Sequence, residues 1–293
     1  MTDSQILILM STLSTGLILG AIFALVAAGV TIVYGCVWLP NASNGQFFLL
    51  AALAAWTFTA SFGWSSAAAA IGVLVLGTGL AWLLEWILIR RLYDTPNRNV
   101  AYFVITLGLT QIMTGVFSLT YAKWSDQFTL PPVIEGITMF GPFPMPNNRL
   151  FVMGVSLAVL IALFLLLRFH PYGRALRAVF QNREAAALRG VNVRAIYRLS
   201  FVLGSVIIFL GGILFALAYS YDLTVAWTMS ITAFAIMIIG GPGSVMGALV
   251  IGMIFGFTQA IVSIFASPTA ATFSYLGAML IILLFRPSGL FKR

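Results

Sequence analysis

Few side chains in this sequence could do acid–base, nucleophilic or metal chemistry. It holds 7 acids, one His and one Cys in 293 residues. Glu85 sits about one turn before Arg90 and Arg91, at the end of an apolar stretch, where its carboxylate can reach an interface. His170 falls in a polar loop beside Pro171 and reads as a loop residue. Cys36 stands alone, which excludes an internal disulfide framework and a cysteine-based metal cluster, and reads as a small packing residue. No acid or base lies near the middle of an apolar stretch. Proton-coupled transporters and intramembrane hydrolases use buried Asp, Glu or His. A metal-dependent membrane transferase would show an acid cluster. Neither pattern is present, and no metal site is expected. Sodium coupling through carbonyls and hydroxyls stays open. A phosphate-binding loop needs Lys after Gly and before Ser or Thr. The only lysines are Lys123, after Ala122, and Lys292, after Phe291.

The polar residues that interrupt apolar stretches are uncharged. Pro40 is followed by Asn41-Ala42-Ser43-Asn44-Gly45-Gln46, and Gly240-Gly241-Pro242-Gly243-Ser244 lies in the second half. Irregular backbone at membrane depth survives only where protein or water satisfies it, and such breaks point to transport pathways. The other reading is a tight turn at the membrane surface. It is favoured for 240–244, because an apolar stretch restarts at once. For 40–46 both readings stand. Asn41, Ser43, Asn44 and Gln46 are candidate pathway residues, with Gln111 and Thr114 added from a later stretch.

A third segment, 169–198, carries the arginines. Leu176, Val179 and Phe180 recur at helical spacing, with Arg174 and Arg177 on another face. Asn182 is suited to N-cap a second helix, with Glu184 in its first turn and Ala185, Ala186 and Ala187 favouring helix. Arg189 and Gly190 form a stop, and Asn192 can cap the start of the next span. Two short helices are expected. They either lie on anionic headgroups or dock a soluble partner, with the apolar stripe filling a groove on it.

The elements that hold these residues are set by composition. The chain is 61% hydrophobic and 8% charged. Soluble domains carry about 25% charge, so a soluble fold is excluded, and so is disorder. The expected fold is an all-α integral membrane protein, a polytopic helical bundle in a single domain over residues 1–293. Clear spans are 6–35, 66–89, 100–121, 150–168, 199–220, 243–266 and 272–285; 46–62 and 226–240 are shorter or broken. Together they give about nine crossings, with eight to ten allowed. Met1–Gln5 lack a basic region, so the first stretch is expected to stay as a span. Thirteen of the 15 cations fall at 90–98, 168–198 and 286–293. By the positive-inside rule these regions are cytoplasmic, which places the C-terminus inside and the N-terminus outside. The loop at 122–149 is then extracytoplasmic. The net charge of +8 is therefore a topology signal, and no nucleic-acid partner is expected. The two breaks lie in opposite halves, which hints at an inverted repeat.

Several stretches now carry a resemblance. Gly173-Arg174-Ala175 through Ala185, then Leu188 and Gly190-Val191-Asn192, to Ser200-Phe201, resembles the coupling loop of ABC importer permeases. Gly240-Gly241-Pro242-Gly243-Ser244-Val245-Met246-Gly247-Ala248 is similar to the Gly-Gly-x-Gly-Ser-x-x-Gly-Ala element of LivH-type branched-chain amino acid permeases. Arg286-Pro287-Ser288-Gly289-Leu290-Phe291 is similar to the ending of that family, and Gly20-Ala21 to Gly35 to its first span. Many members carry Asn-x-Ala-His-Gly-Glu after that span; here Asn44 replaces His and Gln46 replaces Glu.

The resemblance implies a permease subunit of an ATP-driven importer in a bacterial inner membrane. Its cargo would be branched-chain or related amino acids, with urea, short amides or another small carboxylate as alternatives, or secondary transport as a rival. It implies two cytoplasmic ATPase subunits that bind ATP and Mg, a second permease, related or identical, and an extracytoplasmic solute-binding protein. This chain would bind no cofactor and catalyse nothing. Residues 173–190 would transmit ATPase motion, with Gly173, Arg174, Arg177, Asn182, Glu184, Ala185, Ala186, Leu188 and Gly190 as contacts. Gly240, Gly241, Gly243 and Ser244 would form a structural turn. Arg at Ala186 or Leu188 is expected to uncouple transport.

Overall fold

The computed structural model describes residues 3–37, 41–92, 98–124, 127–140, 143–286 and 289–291. Pro40 and Pro287, singled out above, lie outside that set, as does the Cys36 side chain. The first helix, α1 (Asp3–Val37), is followed by α2 (Asn44–Phe62). Next comes α3 (Ser66–Leu84), which continues as a π turn (Glu85–Ile89) and a 3-10 turn (Arg90–Leu92). Helix α4 (Arg98–Tyr121) leads to a hairpin of β1 (Ile137–Phe140) and β2 (Phe143–Pro146). Then come α5 (Asn147–Phe169), the short α6 (Pro171–Gln181) and α7 (Arg183–Leu188), and α8 (Val193–Ala218). Helices α9 (Val225–Gly240), α10 (Val245–Phe265) and α11 (Pro268–Phe285) complete the chain.

All nine expected stretches are helices. Seven are long and apolar enough to cross a membrane; the shorter two are Val225–Gly240 and Thr269–Phe285. The stretch at 46–62, short in the sequence, gains Asn44 and Gly45 and reaches full length. The short partner of 226–240 is instead the last helix.

Helix α1 is the axis of the bundle. It is apolar all round, and a helix of that kind must be buried on all sides. Its apolar segment, Leu9–Gly35, is almost wholly buried. Lipid tails are as apolar as leucine, so helices in a bilayer associate through close packing of small residues. Helix α10 runs antiparallel to α1 along such a seam. Gly16 faces Phe257, Gly20 faces Met253 and Gly256, and Ala24 faces Gly252. Helix α8 crosses another side of α1 through Gly204, where a Cβ would lie 2.7 Å from the Gly29 carbonyl oxygen.

The two ends differ as the charges require. At the basic end Phe180 of α6 sits between Gly35 and Gly243. The C-terminal segment returns there: Leu290 N–H donates to the Ile239 carbonyl at 2.8 Å. At the other end aromatic rings close the bundle. Trp56 meets Tyr121, Trp124 and Phe128 edge-on, and Phe128 pairs as an isolated bridge with Tyr221. Buried Asn148 ties this cap together. Its Oδ1 accepts from Val133 N–H at 3.0 Å, and its Nδ2 donates to the Leu217 carbonyl at 2.6 Å. Burial pushes the Tyr219 phenol up to about 12, against the pull of Arg149, whose guanidinium lies 5.3 Å from the ring. Burial and neighbouring Tyr121 push Tyr221 up as well, so both phenols stay neutral.

Candidate functional site

Helix α1 reaches the basic end, yet α2 does not begin there. Ala42 N–H donates to Thr106 Oγ1 at 3.2 Å, and Gln46 Nε2 donates to Thr114 Oγ1 at 3.0 Å. Thr106 and Thr114 stand eight and sixteen residues past Arg98. At 1.5 Å per residue that is about 12 and about 24 Å along α4. The hydrocarbon core is about 30 Å thick. The Phe48 carbonyl packs on Gly212, fourteen residues past Arg198, about 21 Å along α8. The break therefore lies near mid-height of the bundle, between α1, α2, α4 and α9. Gly45 makes that crossing possible: its N–H donates to Ser230 Oγ at 2.9 Å, and a Cβ there would fall on the Ala226 carbonyl.

The four expected residues of the break come together. Asn41, Ser43, Asn44 and Gln46 are each at most 3% exposed. Asn41 Oδ1 accepts from Ser43 N–H at 3.0 Å and from Ser43 Oγ at 2.7 Å, a local turn that starts α2. Thr114 joins them through Gln46. Gln111 does not: it is exposed on the outer face of α4, about 100° round the axis from Thr110. Sequence reasoning missed Thr106, Thr110 and Ser230. Thr106 and Thr110 are buried, and with Thr114 they repeat every four residues along α4. That spacing was the available signal. Each of Thr110 and Thr114 returns its hydroxyl to the carbonyl one turn back, at 2.8 Å.

Several polar atoms of this break have no protein partner: Asn41 Nδ2, both amide atoms of Asn44 and Gln46 Oε1. A buried polar group left unmade costs about 1–3 kcal/mol. Such a set, uncharged and mixed in donors and acceptors, suits a path that admits water or a neutral polar solute. It does not suit a fixed charge. Asn44→Asp is expected to cut flux through the chain at least about tenfold, because it buries a carboxylate with no protein partner at mid-height, a cost that the start of α2 offsets only in part. The comparison is uptake per folded protein, with Asn44→Ser retaining most of the flux; equal uptake by the Asp variant would place Asn44 off the path.

The second break is a turn at the basic end. Gly240 closes α9, Gly241 and Gly243 take φ of 93° and 84°, and Ser244 Oγ caps α10 at Gly247 N–H, 3.0 Å. Positive φ strains any other residue. A Cβ on Gly289 would lie 2.5 Å from Gly241 Cα, so the turn also seats the C-terminal segment.

The arginine-rich segment forms the two expected helices. Asn182 Oδ1 accepts from Glu184 and Ala185 N–H, both at 3.0 Å; Gly190 takes φ of 83°; Asn192 caps α8 at Ala195 N–H. His170 Nδ1 accepts from Tyr172 N–H at 3.2 Å, an N-cap for α6. One expectation is corrected. The apolar stripe of α6 faces the bundle, with Leu176 and Val179 buried, so it fills no groove on a partner. Gly173 is buried because a Cβ would strike the Leu167 backbone, and the Arg177 guanidinium donates to the Leu167 carbonyl. Tyr172 and Ser200 hydroxyls pair at 2.9 Å, pinning α6 to α8. Arg174, Arg177, Asn182, Glu184, Ala185 and Gly190 are exposed, and Leu188 is 90% exposed. Ala186 is buried instead, at 4%.

The family model described as "branched-chain amino acid transport system / permease component" matches residues 12–284. The high-affinity branched-chain amino acid transport system permease protein LivH of Escherichia coli K12 is 24% identical, over 99% of this chain and 98% of its own. BraD of Pseudomonas aeruginosa, of the same description, is 25% identical over 96% and 95%. The fructose import permease protein FrcC of Rhizobium meliloti is 26% identical over 89% and 73%. Among solved structures, PsaBC from Streptococcus pneumoniae in complex with Fab superposes with a TM-score of 0.53 at 13% identity, covering 94% of this chain and 91% of that one, a likeness of fold. A bundle of apolar helices with most of its arginines at one end, matched nearly end to end by that model, is a multi-pass inner-membrane protein, and it belongs to the family of branched-chain amino acid transport permease components.

Proposed function

We propose that this chain is the membrane pathway of an ATP-driven importer whose cargo is a branched-chain or related amino acid. The observation that carries the reading is the uncharged polar break at mid-height, Asn41–Gln46 against Thr106 and Thr114. The names of LivH and BraD supply the substrate class. A neutral, loosely partnered path suits an importer in which a separate extracytoplasmic binding protein selects the cargo. The exposed outer loop, with Trp124, Ile134, Ile137 and Met139 on its surface, is its docking face. ATP and magnesium bind two cytoplasmic ATPase subunits, since no lysine here sits in a phosphate-binding loop. Those subunits seat on α7, and a second permease, related or identical, completes the pathway. Closure of the ATPase pair then switches access from one side to the other.

The likeness to FrcC supports a second reading, a small neutral sugar as cargo. Co-purification with the products of neighbouring genes, then reconstitution in liposomes, tests both. Leucine uptake that needs internal ATP and the binding protein is the expected result. Uptake of fructose alone would move the cargo to sugars, and uptake without ATP would replace the importer with a secondary transporter.

A further inference from the structure

A cavity of about 270 Å3 opens at the arginine-rich end, between α5, α6 and the start of α10. Its floor is apolar: Phe164 and Leu167 of α5 and Leu176 and Phe180 of α6 are partly or wholly buried. Its rim carries Arg168 and Arg177, both exposed, and the first residues of α10, Val245 and Met246.

Helix α10 brings two amide groups to that rim. Its first intrahelical bond runs from Ala248 N–H to the Ser244 carbonyl at 3.0 Å. The N–H groups of residues 245–247 therefore have no acceptor inside the helix. Ser244 Oγ accepts the one of Gly247. Those of Val245 and Met246 remain, at the positive end of a 21-residue helix dipole.

The arginines add donors of a matching kind. One Arg177 nitrogen donates to the Leu167 carbonyl, which fixes the guanidinium at the rim. A guanidinium has five N–H donors, so others stay available to a ligand. Arg168 lies 5.8 and 5.6 Å from the Phe164 and Phe169 rings. Contact through its face leaves the N–H edges for an oxygen anion, which guanidinium forks match two oxygens at a time. The lining residues include no acid. Among the acids toward this end, Glu85 lines a different cleft with Arg90 and Arg194, Glu184 is exposed on α7, and Asp94 lies outside the described residues.

The surroundings point to an anion with an apolar body. Ile161, Leu165 and Phe169 recur every four residues on α5 and are exposed, as are Met246 and Ile254 on α10. These outward apolar faces meet the bilayer beside the cavity. Basic pockets between helices on the cytoplasmic side suit anionic headgroups.

We propose that this cavity seats the phosphate of an anionic phospholipid, held by Arg168, Arg177 and the Val245 and Met246 amides, with an acyl chain on Phe164, Leu167 and Phe180. The bound lipid ties α5, α6 and α10 together. This proposal does not rest on the transport reading.

The test uses the full chain in detergent, stripped and then supplied with phosphatidylglycerol, phosphatidylcholine or inorganic phosphate. Retained lipid and melting temperature are measured. Phosphatidylglycerol is expected to be retained and to raise the melting temperature. Phosphatidylcholine does neither, because its choline sets a further cation against the arginines. Arg168→Gln, at an exposed position, is expected to weaken retention about fivefold. Val245→Pro removes one of the two amide donors at the first helical position, where proline is tolerated, and is expected to weaken it as well. Arg174→Gln, exposed on α6 outside the cavity, leaves retention unchanged. Melting curves of the stripped variants that match the stripped parent show that the fold is intact. Equal retention of the two lipids, or retention unchanged in both Arg168→Gln and Val245→Pro, overturns the proposal. Stabilisation by inorganic phosphate without retention of phosphatidylglycerol overturns the lipid as the source of the anion. Loss of ATPase co-purification in Arg168→Gln with lipid retention intact also overturns it and makes the cavity a protein-docking surface.

Discussion

Gly256→Leu is expected to abolish accumulation of the folded permease. A Cβ at this position would fall on the amide nitrogen and Cα of Gly20, with the Gly16 carbonyl oxygen 2.6 Å away. All three are backbone atoms of the central helix, so no side chain can swing aside. One turn earlier the same seam is as tight: a Cβ at Gly252 would lie 2.5 Å from Ala24 Cα. Overpacking a filled interior costs about 1–3 kcal/mol and more where the backbone must shift. In a bilayer no gain in apolar burial offsets the separated helices. The shift would also spread, because α1 packs on α5, α8 and α9 as well as α10. Gly108→Leu is the control, since nothing lies within 4 Å of a Cβ there. Size-exclusion profiles of both variants, with melting curves, decide the matter: a monodisperse Gly256→Leu protein with an unchanged midpoint would remove the seam from the account.

That seam also marks a limit of sequence reading. The spans were legible because twenty apolar residues in a row have few other uses. Their direction was legible because arginines collect at 90–98, 168–198 and 286–293. The partner of each glycine was not. Gly252 and Gly256 clasp α1, whereas Gly108 and Gly115 on α4 face open space with an equally helical spacing. Spacing fixes which residues share a face, and tertiary packing decides what the face meets. The hairpin at 137–146 was hidden for a related reason: its strands hold Pro144 and Pro146, which read as loop residues.

The same division runs through the candidate site. Asn41, Ser43, Asn44 and Gln46 were legible because uncharged polar residues interrupting an apolar stretch need a cause. Their height was not legible, since a surface turn and a mid-height break have the same composition; the bonds to Thr106 and Thr114 separate the two. The α4 threonines escaped notice because a threonine in a helix can satisfy itself on the preceding turn, as Thr110 and Thr114 both do. Gln111 was chosen by type and lies outside the stripe. On α6 the amphipathic pattern was plain, yet its apolar side is the inward one, and what stays exposed is its arginine face together with α7.

Leu188→Arg tests that surface. Leu188 is 90% exposed at the last position of α7, an apolar side chain that this chain does not bury. Substitution there touches no packed neighbour, so stability is expected to move by no more than about 0.5 kcal/mol. If α7 seats on an ATPase subunit, Leu188 enters the contact, and arginine places an unpaired charge in it. Truncating a central apolar anchor costs about 2 kcal/mol, roughly thirtyfold in affinity; a charge costs at least as much. ATP-driven uptake is therefore expected to fall tenfold or more, with normal expression, an unchanged melting curve and reduced co-purification of the ATPase. Ala186→Arg, two residues earlier, is a different experiment. Ala186 is 4% exposed, and its carbonyl accepts the Val191 N–H that turns the chain back into α8. Arginine there must displace α7 from the bundle, so uptake and local stability fall together. The pair separates the two roles: loss of uptake in Leu188→Arg with an intact fold assigns α7 to docking. Full uptake with a normal complex would show that the ATPase meets this chain elsewhere.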